Sequence, residues 1–158
     1  MADRGLLVIV KAKDCGACIR LEEEGFFKSL LHDVDDLDVE DVYIFDIDHR
    51  GPMPGYSAIM NIDTYFPNFK FMFRDTYEKA LESGSNWQSV YQDIRFFNRV
   101  MNEENILVPS QRYEGGVTFA NLKRFCDDSR RSLLEQRRVP VTAQRTVVKA
   151  RYNGKDRR

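Results

Sequence analysis

With three cysteines and two histidines in 158 residues, this chain is poor in the side chains that build disulfide scaffolds and metal centres. Three cysteines are too few for a stapled framework. Tetrahedral zinc takes four ligands, usually as two close pairs, and neither His32 nor His49 belongs to a second pair. Long apolar runs are missing too. The first one, LLVIV at residues 6–10, is far shorter than a membrane helix and shorter than the apolar centre of a signal peptide. No repeat and no low-complexity tract interrupts the chain. These absences point away from membrane and secretory routes and toward a reducing, cytoplasmic setting. There a close cysteine pair is more often catalytic or metal-binding than structural.

At 42% hydrophobic and 12% aromatic residues, the chain can build one domain with a real core. The net charge of −1 conceals an uneven distribution: residues 33–48 hold eight acidic side chains and no basic one, and residues 137–158 hold eight basic ones against Asp156 alone. The acidic run reads as a solvated loop. The basic stretch has little apolar periodicity and contains Pro140, Asn153 and Gly154, so it reads as a tail of weak intrinsic order. The expected organisation is therefore a domain over 1–136 and a tail over 137–158.

Within the domain, strands and helices alternate. LLVIVKA (6–12) is a continuous apolar run suited to a strand buried on both faces. Behind it, Ile19, Phe26, Phe27, Leu30 and Leu31 recur at helical spacing, with Glu22, Glu23 and Glu24 on the outer face and Gly25 as a weak point. VYIFDI (42–47) predicts a second strand, GPMPGYS a turn, and residues 56–62 a short helix. NFKFMF (68–73), directly behind Pro67, predicts a third strand. Val90, Tyr91, Ile94, Phe97, Val100 and Met101 predict a helix over 87–101. ILVPSQRYE (106–114) suits an edge strand because of Pro109. After Gly115 and Gly116, Thr118 caps a last helix whose inward face is Phe119, Leu122, Phe125, Cys126 and Leu133.

The chemistry concentrates in KAKDCGACIRLEEE, where Cys15 and Cys18 stand three apart at the start of a helix. Free backbone N–H groups there stabilise an anion, and side chains three apart lie about 5–6 Å from one another, a gap that a disulfide bridges. Three readings stay open: a dithiol that exchanges electrons, a vestigial pair on a binding module, and half of a metal site. Cys126, on an apolar helix face, reads as a small buried hydrophobe.

LLVIVKAKDCGACIRLEEE, YFPNFKFMF and RYEGGVTFANLKRF, in that order, resemble the thioredoxin superfamily, and most of all the domains of protein disulfide isomerases. The resemblance covers residues 5–73 and 106–134. It implies an α/β fold with a central mixed sheet flanked by helices. It also implies a Phe66–Pro67 bond held cis opposite the dithiol, and a late turn matched by Tyr113, Gly115 and Thr118. Residues 74–105 have no place in the minimal fold and are expected to be a helical insertion with Val90, Ile94, Phe97 and Met101 as its buried stripe. There are departures: Asp14 stands where the family usually has tryptophan, and its charge opposes a neighbouring thiolate. Ile9 stands where a buried acid relays protons to the second cysteine. Gly16 and Ala17 replace the intervening residues that set the redox potential of the known branches.

The resemblance implies a thiol–disulfide oxidoreductase in which Cys15 attacks, Cys18 resolves, and Gly16, Ala17, Phe66 and Pro67 receive the substrate. It implies no cofactor and no metal; the partners are a protein disulfide and a thiol-reducing protein. The alternative is a redox-inactive thioredoxin-like module that binds an acidic protein or nucleic acid through its insertion and basic tail. The expected location is the cytoplasm; large DNA viruses also carry divergent proteins of this kind, sometimes in the particle, and the sequence is compatible with that origin.

Overall fold

The computed structural model describes residues 3–46, 66–83, 89–97, 112–113 and 115–138. Strand β1 (Leu6–Lys11) leads into α1 (Gly16–Glu23), α2 (Phe26–His32) and the single turn α3 (Val34–Leu37). Strands β2 (Asp41–Asp46) and β3 (Asn68–Met72) follow, then α4 (Arg74–Ser83), a 3-10 turn at Tyr91–Asp93, β4 (Arg95–Phe97), β5 (Arg112–Tyr113) and α5 (Phe119–Arg138). The expected helix at 56–62, the turn before it, the strand residues before 112 and the tail from 139 onward lie outside the described residues.

The sheet is mixed, with strand order β2-β1-β3-β4-β5. β1 runs parallel to β2 and antiparallel to β3, and β4 is antiparallel to β3. Both faces are covered, which is why β1 reads as an unbroken apolar run, while β3 alternates Phe69 and Phe71 with the buried polar Asn68 and Lys70. Leu7, Ile9, Phe69, Phe71 and Phe97 point into a core closed by α2, α3 and α5. Leu6, Val8, Val10, Met72 and Phe96 point the other way, against Tyr77 and Ala80 of α4 and against Val90 and Ile94. An α/β architecture with a central mixed sheet flanked by helices is thus present as expected.

Three expectations need correction. Residues 74–105 are not a purely helical addition beside the sheet: Arg74–Ser83 is helical, but Arg95–Phe97 is a strand paired with β3. Val90, Ile94 and Phe97 are buried as predicted, yet Ile94 and Phe96 face one core and Phe97 the other, which is strand alternation inside a doubly covered sheet. The helix expected behind the cysteines is two helices. Gly25, at φ 77°, takes the left-handed conformation that glycine tolerates; its N–H bonds the Glu22 carbonyl to close α1, and its carbonyl accepts from Ser29 to open α2. The change of axis leaves Ile19 45% and Leu31 51% exposed, while Phe27 and Leu30 are buried. Finally, α5 extends through Arg138, so the first two residues of the basic stretch are helical. Arg137 bonds Asp75 at 2.8 Å and lies 4.6 Å over the Phe73 ring.

Candidate dithiol site

Cys15 occupies the N-cap of α1. Its backbone is extended (φ −92°, ψ 117°), its carbonyl accepts from the Ile19 N–H, and its Sγ accepts the Cys18 N–H at 3.1 Å. The sulfur therefore does what a serine or aspartate does at this position: it satisfies one of the orphan donors of the first turn. The Cys15 S–H donates to the Phe66 carbonyl at 3.0 Å, across 51 residues of sequence. The Phe66–Pro67 bond is cis. The polypeptide immediately before β3 is thus held against the cysteine by β1–β3 pairing, in which Val10 stands opposite Asn68.

The two thiols differ in environment. Cys15 is half-buried and Cys18 buried, and both are free. Burial, then the hydrogen bond with Cys15, push the Cys18 thiol up to about 12, against opposing contributions from a backbone hydrogen bond with Ala12 and, more weakly, the charge of Lys11. Gly16 is exposed with open space around it, Ala17 and Phe66 are half-buried, and Pro67 is buried. The structure brings Cys15, Cys18 and Phe66 together, with Gly16 and Ala17 on the first turn between the thiols. Ile9 is fully buried in the apolar core, so no carboxylate reaches Cys18 from that position. Cys126 is fully buried, and burial pushes its thiol up to about 12 as well.

Sequence reasoning missed the cleft beside Cys18. It is open, about 320 Å³ in volume, and includes Lys11, Lys13, Glu22, Glu23 and Asp46 in its lining. Lys11 Nζ bonds Glu22 Oε1 at 2.6 Å and sits 5.6 Å from the Phe27 ring centre. The pairing of strand end to helix was detectable only in part: Cys18 and Glu22, four apart, share a helix face. It also missed Lys70, fully buried in β3, whose ammonium donates to Asn68 Oδ1 and lies 5.9 Å from the Phe96 ring centre. Among the described residues, no group of three or more His, Cys, Asp or Glu side chains is arranged to hold a metal ion. No helix among them is long and apolar enough to cross a membrane.

The fold and the site define an α/β protein with a helix-capping cysteine pair at the end of its first strand. No protein-family model, curated protein or solved structure matches the chain.

Proposed function

We propose that this chain is a thioredoxin-like thiol–disulfide oxidoreductase acting on protein disulfides. One observation carries the reading: Cys15 Sγ caps α1 beside the buried Cys18 while facing the Phe66 carbonyl at 3.0 Å. Each contact has a chemical use. When Cys15 gives up its proton to attack a disulfide, the Cys18 N–H and the helix terminus remain to stabilise the sulfur's charge. The Phe66 carbonyl loses its S–H donor at the same moment and becomes an acceptor for an N–H of an incoming polypeptide. Cys15 then forms the mixed disulfide, and Cys18, one helical turn further in, displaces the substrate sulfur. The arrangement of β1 leading into the pair, Pro67 opening β3, and Gly115 to Thr118 preceding α5 supports the same reading.

Insulin reduction with dithiothreitol tests it. The wild type is expected to accelerate precipitation of the insulin B chain, and Cys15→Ser to fall to the dithiothreitol background. Equal rates for both proteins would overturn the oxidoreductase reading and favour a binding module that keeps its cysteines without turnover.

A further inference from the structure

Resolution of the mixed disulfide requires Cys18 to become a thiolate in a buried position, and Ile9 supplies no acid to take its proton. What the structure places there is a cation. Lys11 is the last residue of β1, with its side chain 23% exposed; it lines the cleft that contains Cys18, and Glu22 holds its ammonium at 2.6 Å. Because Glu22 lies one helical turn beyond Cys18 on the same face of α1, an ammonium held by Glu22 is held at the Cys18 side of the helix. The Phe27 ring backs it at 5.6 Å, so the ammonium has protein on one side and the cleft on the other.

We propose that Lys11 is the positioning cation of the resolving step: tethered by Glu22, it neutralises the thiolate that Cys18 must become to attack the disulfide between Cys15 and the substrate. This rests on the oxidoreductase reading. In the step, the Cys18 thiol proton passes to solvent in the cleft and Cys18 Sγ attacks Cys15 Sγ. The bond from Cys15 to the substrate sulfur breaks, its electron pair leaves with that sulfur, and the sulfur takes up a proton. The two protein thiols are oxidised to a disulfide and the substrate disulfide is reduced, two electrons in all. Lys11 makes no bond; it lowers the cost of a charge in a place where burial opposes it, in keeping with its opposing influence on the Cys18 thiol.

The groups facing Cys18 give the inference a sign. Cys15 borders it from the helix start, Glu22 and Glu23 from α1, Asp46 from the end of β2, and Lys11 and Lys13 from the end of β1 and the loop after it. Removing the Lys11 charge leaves the carboxylates to oppose a thiolate. Removing the Glu22 charge, as in Glu22→Gln, takes away a carboxylate that opposes the thiolate, while the amide oxygen still accepts from the Lys11 ammonium and holds it in place. The two substitutions therefore act in opposite directions, whereas loss of a merely structural ion pair would act in the same direction from either side.

The chromogenic disulfide dithiobis(nitrobenzoate), mixed rapidly with the reduced protein, separates the steps: the first equivalent of coloured thiolate reports attack by Cys15, the second reports resolution by Cys18. In Lys11→Met, the second phase is expected to slow about fivefold relative to the first at neutral pH, and its pH profile to move upward by roughly half a unit or more. Lys11→Arg restores the wild-type profile, and Glu22→Gln quickens the second phase and moves its profile downward. Displacement of both the Lys11→Met and Glu22→Gln profiles in one direction, or an unmoved second phase in Lys11→Met, overturns the inference while leaving the oxidoreductase reading intact. Absence of a first phase in the wild type overturns both.

Discussion

The two ends of β1 differ in how far they are closed to solvent. At the start of the strand nearly every group is committed. Asp3 accepts from the N–H of Gly5 and from that of Arg74, tying the chain start to the first turn of α4. Arg74 bonds Glu40, and the Glu40 N–H bonds the Gly5 carbonyl. Arg130 of α5 donates to the carbonyls of Arg4 and Asp38 and lies 5.4 Å over the Phe71 ring. At the other end, Lys13, Asp14 and Gly16 are exposed, a cleft opens beside Cys18, and the Cys15 thiol is half-buried. The strand is anchored where no chemistry is proposed and open where chemistry is. A scaffold tied at one end holds a reactive group in register without closing off the space that a substrate needs.

The widest expected gap between the two ends is chemical reactivity. Under native reducing conditions at neutral pH, iodoacetamide should label Cys15 while Cys18 and Cys126, both held near 12 and buried, stay unmodified far longer. Peptide mass mapping over a time course reads this directly, and earlier modification of Cys126 would show that the comparison is drawn wrongly.

Next in size is a stability effect at the anchored end. Gly5 has φ +89°, and a Cβ there would run into the Phe71 ring. Gly5→Ala should cost about 3 kcal/mol, from left-handed strain and overpacking together. Chemical denaturation measures it; a cost below about 1 kcal/mol would mean that the anchored end is softer than it looks.

Arg130 and its neighbour Arg131 give a finer contrast. Arg130, with its side chain 15% exposed, carries two backbone carbonyls and a ring, whereas Arg131 forms one exposed pair with Asp128. Arg130→Ala should cost about 2 kcal/mol. Equal effects of Arg130→Ala and Arg131→Ala in parallel melts would remove the argument for a clamp.

Acid titration is gentler still. Burial pushes the Asp3 carboxyl up, but a hydrogen bond with the Glu40 side chain, then the N–H groups of Gly5 and Arg74 and the charge of Arg137, outweigh it and hold the group below its ordinary 3.8. A carboxyl depressed in the folded state contributes stability that is present above its unfolded value and is lost as pH falls through the folded one. The difference in stability between wild type and Asp3→Asn should therefore narrow below pH 3.8 and stay constant above about pH 5. A difference that grows on acidification would contradict the assignment. The smallest effect is the control, Arg131→Ala, at under about 0.5 kcal/mol.

What could be read from the residues divides along range. β1, the cysteine pair, β3 and α5 were legible because each is announced by a local pattern: an apolar run, a spacing of three, alternating aromatics behind Pro67, and, behind Gly115 and Gly116, Thr118, whose hydroxyl accepts the Asn121 N–H at 3.1 Å. β4 was not, because three residues buried on alternate faces carry no period of their own and borrow a helical one from Val90 and Tyr91. The division of the helix at Gly25 was visible as a weak point, but its consequence, the outward turn of Ile19 and Leu31, depends on packing against the sheet. The partners of Cys15 and Cys18 were the least legible. Phe66 comes from 51 residues away and was reachable only through a family resemblance, and the pairing of Lys11 with Glu22 needs the angle between β1 and α1.

The complete burial of Cys126 in the packed face of α5 also fixes how the protein would behave at an electrode or in a redox buffer. With Cys126 out of reach, the Cys15–Cys18 couple proposed above exchanges electrons strictly in pairs, and no third thiol reshuffles the bridge. A titration against a thiol buffer should then follow a single Nernst curve in which each tenfold change in the ratio of oxidised to reduced protein spans about 30 mV, the slope of a two-electron couple.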